Sequence, residues 1–293
     1  MTVSSQGTYE NLIEMLDNSR KRYAERPLFG TKRDGNYEWT TYEQFAEKVD
    51  YLRGGLASLG VSSGDKVAII SKNTEEWAVS AYATYGLCGQ HIPMYETQLA
   101  KEWEYIVRDC SAKVLLVSNP TVLEQTLDFP ERIDSLENVV LISGSSSKEV
   151  KTYDNLLKTG RKNPVEAQQP ESGSPMGMIY TSGTTGDPKG VILSHRNIIF
   201  QFQAVLPLLG KTENDPTLAV LPWASTPSTS STSIWQQPRG SARSTWRRSG
   251  SPAVHRRRFV AISSNPERSV RLRDVPCSMA VAFAGGFWRG PSQ

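Results

Sequence analysis

The sequence predicts an α/β fold over residues 1–223, with a largely parallel sheet and flanking helices, and a poorly packed basic segment over residues 224–293. Three observations carry that prediction. Short apolar, β-branched runs alternate with helical stretches through the first part, which is the pattern of right-handed βαβ units. A ten-residue polar loop, T-S-G-T-T-G-D-P-K-G at residues 181–190, stands between two of the apolar runs. The composition then changes abruptly. From Ala224 onward there are eleven arginines, no lysine and two acids, Glu267 and Asp274, a charge of +9. With the whole chain at +3, the first 223 residues carry −6.

The elements follow in order. Residues 11–23 set Leu12, Ile13, Leu16 and Tyr23 at helical spacing with charges between them. Residues 29–31 and 37–40 flank the turn dipeptide Asp34-Gly35 and predict a short hairpin. Thr41 opens the next helix, with Gln44 completing a capping box and Gly60 as the stop. Residues 67–70 predict a buried strand. Asn73 is expected to cap the following helix, whose first turn holds Glu75 and Glu76 beside the positive dipole end as a solvated pair, not a catalytic one. Strands are expected at residues 91–93, 114–118 and 139–143, with helices at about 99–109 and 121–127. Residues 159–175, rich in Pro, Gly, Gln and charge, predict a surface linker. After the polar loop come a helix at residues 197–209 and a strand at residues 217–221.

The loop has the composition of an anion cradle. Thr181, Ser182, Thr184 and Thr185 supply hydroxyl donors, and Lys189 supplies a compact positive charge. Gly183 and Gly186 can take positive φ, which turns successive N–H groups toward a bound anion. Pro188 stiffens the exit just before the lysine. The spacing excludes a Walker loop, in which glycine directly precedes the lysine and a helix follows. It also fails G-x-G-x-x-G. The plainer alternative is a Ser/Thr/Gly surface hairpin that carries a lysine.

The longer string decides between them. M-I-Y-T-S-G-T-T-G-D-P-K-G-V-I-L-S-H-R-N at residues 178–197 resembles the signature of the adenylate-forming (AMP-binding) superfamily, and within it the long-chain fatty acyl-CoA synthetases. W-T-T-Y (39–42), G-D-K-V-A-I-I (64–70), S-K-N-T-E-E-W (71–77) and L-P-W (221–223) agree with that resemblance. It runs from about Tyr9 to Trp223, so residues 1–223 resemble the N-terminal part of the adenylation fold. The resemblance implies ATP-dependent activation of a fatty acid to an acyl-adenylate, then transfer to coenzyme A. ATP, Mg²⁺ and coenzyme A are the implied co-substrates. Thr181, Ser182, Gly183, Thr184, Thr185, Gly186 and Lys189 match the family loop that holds the ATP phosphates, and no residue is assigned as catalytic or as a metal ligand.

Other candidates have a simpler reading as structure. His195, just after the loop's second strand, could support the site from behind or pack at a helix start, and packing is expected. His91 is expected to be a core histidine, and Tyr85, Trp103 and Tyr105 core aromatics instead of a tunnel lining. Cys88, Cys110 and Cys277 show no metal spacing and fit a reducing compartment. No apolar run reaches a membrane span, and the first residues lack a secretory pattern. A cytoplasmic protein is expected, with peripheral membrane attachment allowed.

The resemblance stops at Trp223. The tail holds 14 Ser, 6 Pro and 11 Arg in 70 residues, without periodicity. It reads as translation in another frame or through an intron, in preference to an evolved domain. Nothing after Lys211 is lysine, so the family's C-terminal lysine has no counterpart, and little or no ligase activity is expected of the chain. Two other classes of function stay open: a module holding ATP or AMP without turnover, and a basic tail that binds RNA or anionic lipid. Nucleic acid is not expected as a partner, because the tail lacks patterned stacking aromatics. A solvated, disordered tail is the simpler reading.

Overall fold

A computed structural model describes residues 9–33, 36–146, 149–181, 187–209 and 223–224. The predicted strand at residues 217–221, Cys277 and the whole of the tail beyond Ala224 lie outside them.

The chain begins with helix α1 (Leu12–Tyr23) and the hairpin β1 (Pro27–Arg33) and β2 (Asn36–Thr41). Helix α2 (Tyr42–Ser58) leads to β3 (Lys66–Ile70), α3 (Glu75–Tyr85) and β4 (Gln90–Met94). Then come α4 (Ala100–Asp109), β5 (Val114–Val117), α5 (Pro120–Glu124), α6 (Phe129–Arg132) and β6 (Asn138–Leu141). A two-residue strand β7 (Lys151–Thr152) precedes α7 (Tyr153–Lys162), followed by β8 (Pro175–Thr181), β9 (Lys189–Ser194) and α8 (His195–Leu209). The main sheet has seven strands in the order β7-β6-β5-β3-β4-β8-β9. All its pairings are parallel except the β8–β9 hairpin.

The apolar runs of β3 and β5 are continuous because both faces of this sheet are covered. Val67, Ile69, Val114 and Leu116 face a core shared with α1, α2, α3 and α8. Their alternates Ala68, Ile70, Leu115 and Val117 face a second core with α4, α5 and Phe129 of α6. The result is a sheet between two helical layers, as the alternation of strands and helices predicts.

Local sequence explains most helix ends. Asn11 Oδ1 accepts the Glu14 N–H at 2.8 Å. Thr41 and Gln44 close their capping box in both directions, and Gly60 takes φ +81 just past the end of α2. One assignment is corrected. The cap of α3 is Thr74, whose side chain accepts the Trp77 N–H at 3.3 Å, and not Asn73. Threonine has the same capping chemistry one residue closer to the helix, and Asn73 meets a distant partner instead.

The expected linker at residues 159–175 is corrected at its start, while residues 163–174 run without helix or strand and mostly exposed, as expected. Its first residues complete α7, which packs backbone to backbone on α2. A Cβ at Gly160 would lie 1.8 Å from the Tyr51 carbonyl oxygen, so glycine is required there by space. The remainder crosses the protein under restraint: Gln168 N–H donates to Gly86 O at 2.8 Å, and Val165 O accepts from Arg53 Nε at 2.7 Å. Arg53 is itself buried, and its guanidinium also donates to Asp50 at 2.8 Å.

Candidate functional site

The polar loop is carried by the β8–β9 hairpin. These strands pair antiparallel, with Tyr180 opposite Gly190 and Thr181 opposite Lys189, so the two ends of the loop are held by the ladder itself. Strand β8 runs parallel to β4, which puts the loop beyond the carboxyl edge of the sheet. Ligands of open α/β sheets bind beyond that edge. Thr181 is half-buried, and Lys189 is exposed. Ser182, Gly183, Thr184, Thr185 and Gly186 lie outside the described residues. The two flanking strands are observed as expected, and of the seven predicted phosphate contacts the structure places Thr181 and Lys189, across one register pair.

The base of the hairpin is tied to α4. Tyr180 donates its hydroxyl hydrogen to Asp109 Oδ2 at 2.5 Å. The carboxylate and burial together push the Tyr180 phenol well above its usual range, with burial the larger cause. Its ring lies against Gly190, where a Cβ would come within 3.0 Å of the Tyr180 Cζ. Neither Tyr180 nor Asp109 stands out in the sequence as part of a site. Tyr180 touches the loop in the chain, but Asp109 is 71 residues away, and no local pattern joins them.

The two histidines among the described residues pack in the core. His91 is buried, its Nε2 lies 3.0 Å from Ser80 Oγ, and Trp77 packs edge-on at 4.8 Å between centroids. Burial lowers its pKa to about 3. His195 is the first residue of α8 and accepts the Leu12 N–H on Nδ1 at 3.4 Å, which is the helix-start packing expected. Burial lowers its pKa to about 4. Tyr85 and Trp103 are core residues, and Tyr105 packs on the core edge. Cys110 is buried and Cys88 half-buried, and both are free thiols.

Glu75 differs from the expectation of a solvated acid. Its carboxylate accepts from Lys48 Nζ at 2.6 Å and from Thr40 Oγ1 at 2.9 Å, with its side chain only 12% exposed. The pair ties α2, β2 and the start of α3 together and has no catalytic geometry. Near it, the L-P-W segment returns to the core. Trp223 N–H donates to Asn73 Oδ1 at 2.8 Å, and its ring packs at 5.2 Å from Trp77 and 6.4 Å from Phe29.

Among the described residues no group of three or more His, Cys, Asp or Glu could hold a metal ion. No helix among the described residues is long and apolar enough to cross a membrane.

Comparison with known proteins gives a consistent picture. The model of the AMP-binding enzyme family matches residues 16–232. Fatty acyl-CoA synthetase B of Dictyostelium discoideum is 29% identical over 231 residues, covering 73% of this chain and 34% of that protein. The long-chain-fatty-acid–CoA ligase ACSBG1 of Rattus norvegicus is 32% identical over 200 residues, covering 65% and 27%. The chain thus spans about a third of the length of the curated relatives it matches. Among solved structures, the anthranilate CoA ligase AuaEII in complex with anthranoyl-AMP superposes with a TM-score of 0.67 at 24% identity, over 77% of this chain and 42% of that one. The long-chain-fatty-acid-CoA ligase FadD1 of Archaeoglobus fulgidus does so with a TM-score of 0.62 at 20% identity, over 73% and 42%. At these identities the structural likeness is one of fold.

Proposed function

The chain belongs to the AMP-binding enzyme family, and from that premise we propose that residues 181–189 hold the phosphates of MgATP for activation of a long-chain fatty acid as its acyl-adenylate and then its coenzyme A thioester. The single observation behind this reading is the T-S-G-T-T-G-D-P-K-G loop, hung between paired strands beyond the carboxyl edge of a parallel sheet. The relatives matched are named a fatty acyl-CoA synthetase and a long-chain-fatty-acid–CoA ligase, which is the basis for the acyl substrate.

In this reading the chain's own residues bind and orient. The hydroxyls of Thr181, Ser182, Thr184 and Thr185 and the loop N–H groups donate to phosphate oxygens, and Lys189 neutralises charge. Mg²⁺ supplies further neutralisation of the triphosphate. The carboxylate of the fatty acid displaces pyrophosphate from the α-phosphorus, and the thiol of coenzyme A then displaces AMP. Both steps belong to the whole enzyme as the longer relatives have it. The binding unit is taken to be residues 1–223, and the basic segment after it is given no part in the chemistry.

The test is binding. Isothermal titration of the purified chain with MgATP should show a single site, weakened at least about tenfold by Lys189→Ala, the loss of one charge-assisted contact. Equal affinity in the variant would remove the loop from the reading. A second reading, a module that holds ATP or AMP without turnover, is separated by adding a long-chain fatty acid and coenzyme A and assaying for thioester.

A further inference from the structure

We infer that Asp109 and Tyr180 form a positioning pair that sets the base of the phosphate loop, so that the C-terminus of α4 belongs to the loop's binding function. This rests on the reading of the loop just given, and it assigns a role to two residues outside the loop.

The placement of Asp109 is the first argument. It is the last residue of α4, where the negative end of the helix dipole disfavours a carboxylate. Its carboxylate is exposed, and the Tyr180 hydroxyl donates to it. An O–H···O⁻ bond of 2.5 Å is a short, charge-assisted contact with more directional demand than a neutral one.

The position of Tyr180 in the hairpin is the second. It immediately precedes Thr181, and the ladder sets Thr181 opposite Lys189. Pinning the Tyr180 side chain therefore fixes the plane of the last ladder rung before the loop, and with it both residues that bracket the loop. The ring is held on its other side by Gly190, its register partner, where any side chain would meet the Cζ and hydroxyl oxygen at 3.0–3.2 Å. Hairpin, helix and glycine together leave this ring one place to lie.

The third is the surroundings. The loop sits on β9, at the end of the sheet order, where one flank of the strand has no partner strand among the described residues. A hairpin at a sheet edge twists more freely than a central strand. A tether from its second-last ladder residue to a helix of the second core, anchored by buried Trp103, Ile106 and Val107, removes that freedom at the point where ligand geometry depends on it.

The experiment compares the full chain with Tyr180→Phe, Asp109→Ala, Asp109→Asn and the Tyr180→Phe/Asp109→Ala double variant. Two quantities are read for each: the dissociation constant for inorganic tripolyphosphate with Mg²⁺, and the ligand-free thermal midpoint. Tyr180→Phe and Asp109→Ala should each weaken tripolyphosphate by about threefold to tenfold, the worth of one hydrogen bond. The double variant should be no weaker than either single one, because the two residues act as one unit. Asp109→Asn, which keeps an acceptor oxygen, should restore most of the affinity. Tripolyphosphate affinity unchanged in Tyr180→Phe, with only the midpoint lowered, makes the contact a structural one and overturns the inference alone. No binding by the unsubstituted chain overturns the loop reading and this inference with it.

Discussion

Asn73 and Trp223 are 150 residues apart, yet the Trp223 N–H donates to the Asn73 side-chain oxygen at 2.8 Å. The indole then packs edge-on against Trp77 and tilted against Phe29, so the far end of the family-like region is sewn onto the start of α3. Trp223→Ala should destabilise the fold by about 3–5 kcal/mol, the range for deleting a buried aromatic. Asn73→Ala should remove about 1 kcal/mol, the worth of a hydrogen bond. Chemical denaturation of both variants, followed by tryptophan emission, checks the ratio. Equal losses would mean that the bond, and not ring packing, holds the segment.

Acid should weaken this protein through its histidines. His91 and His195 are buried and neutral, with pKa values lowered to about 3 and about 4 from the ordinary 6.5. Below about pH 6.5 the unfolded chain takes up protons that the folded chain refuses. Stability is therefore complete above that pH and falls as the pH drops toward 4, by up to about 1.4 kcal/mol per unit for each histidine. His91→Gln should flatten the slope of unfolding free energy between pH 6 and 4. A slope unchanged in that variant would assign the effect to carboxylates.

Gly160 is a packing glycine. A methyl group there would lie 1.8 Å from the Tyr51 carbonyl oxygen and force α7 away from α2. Gly160→Ala should reduce stability by about 3 kcal/mol despite the better helix propensity of alanine. A stabilised variant in a thermal melt would show that the two helices separate easily.

Arg53 joins three parts of the chain. Its buried guanidinium serves Asp50 and the Val165 carbonyl, and its stem covers Gly86, where a Cβ would fall 2.9 Å from the arginine Cδ. Arg53→Ala should lose about 2 kcal/mol, with the ion-pair share discounted because Asp50 is 39% exposed. Arg53→Lys should recover little, since a lysine has no second nitrogen to span both acceptors. Urea unfolding midpoints of the two variants separate charge from geometry.

Short-range chemistry alone made much of this protein legible. The continuous apolar runs of β3 and β5 announce strands covered on both faces, Thr41 with Gln44 announces a helix start, and the loop string announces both its hairpin and its family. Each depends on residues within a few positions of one another, so a linear reading can find them. The tertiary structure decided what depends on distant partners. Asn73 has the right chemistry to cap α3, but Thr74 caps it, and Asn73 instead meets a residue 150 positions on. Glu75 sits in a first helical turn where solvent is the ordinary neighbour, yet Lys48 and Thr40 enclose it. Residues 159–162 have a linker's composition, but Gly160 lets them close on α2 as helix. Asp109 carries no local sign that Tyr180 needs it. Backbone propensity and turn chemistry act along the chain, whereas packing space and side-chain pairing are set only once the sheet order has brought β8 beside β4.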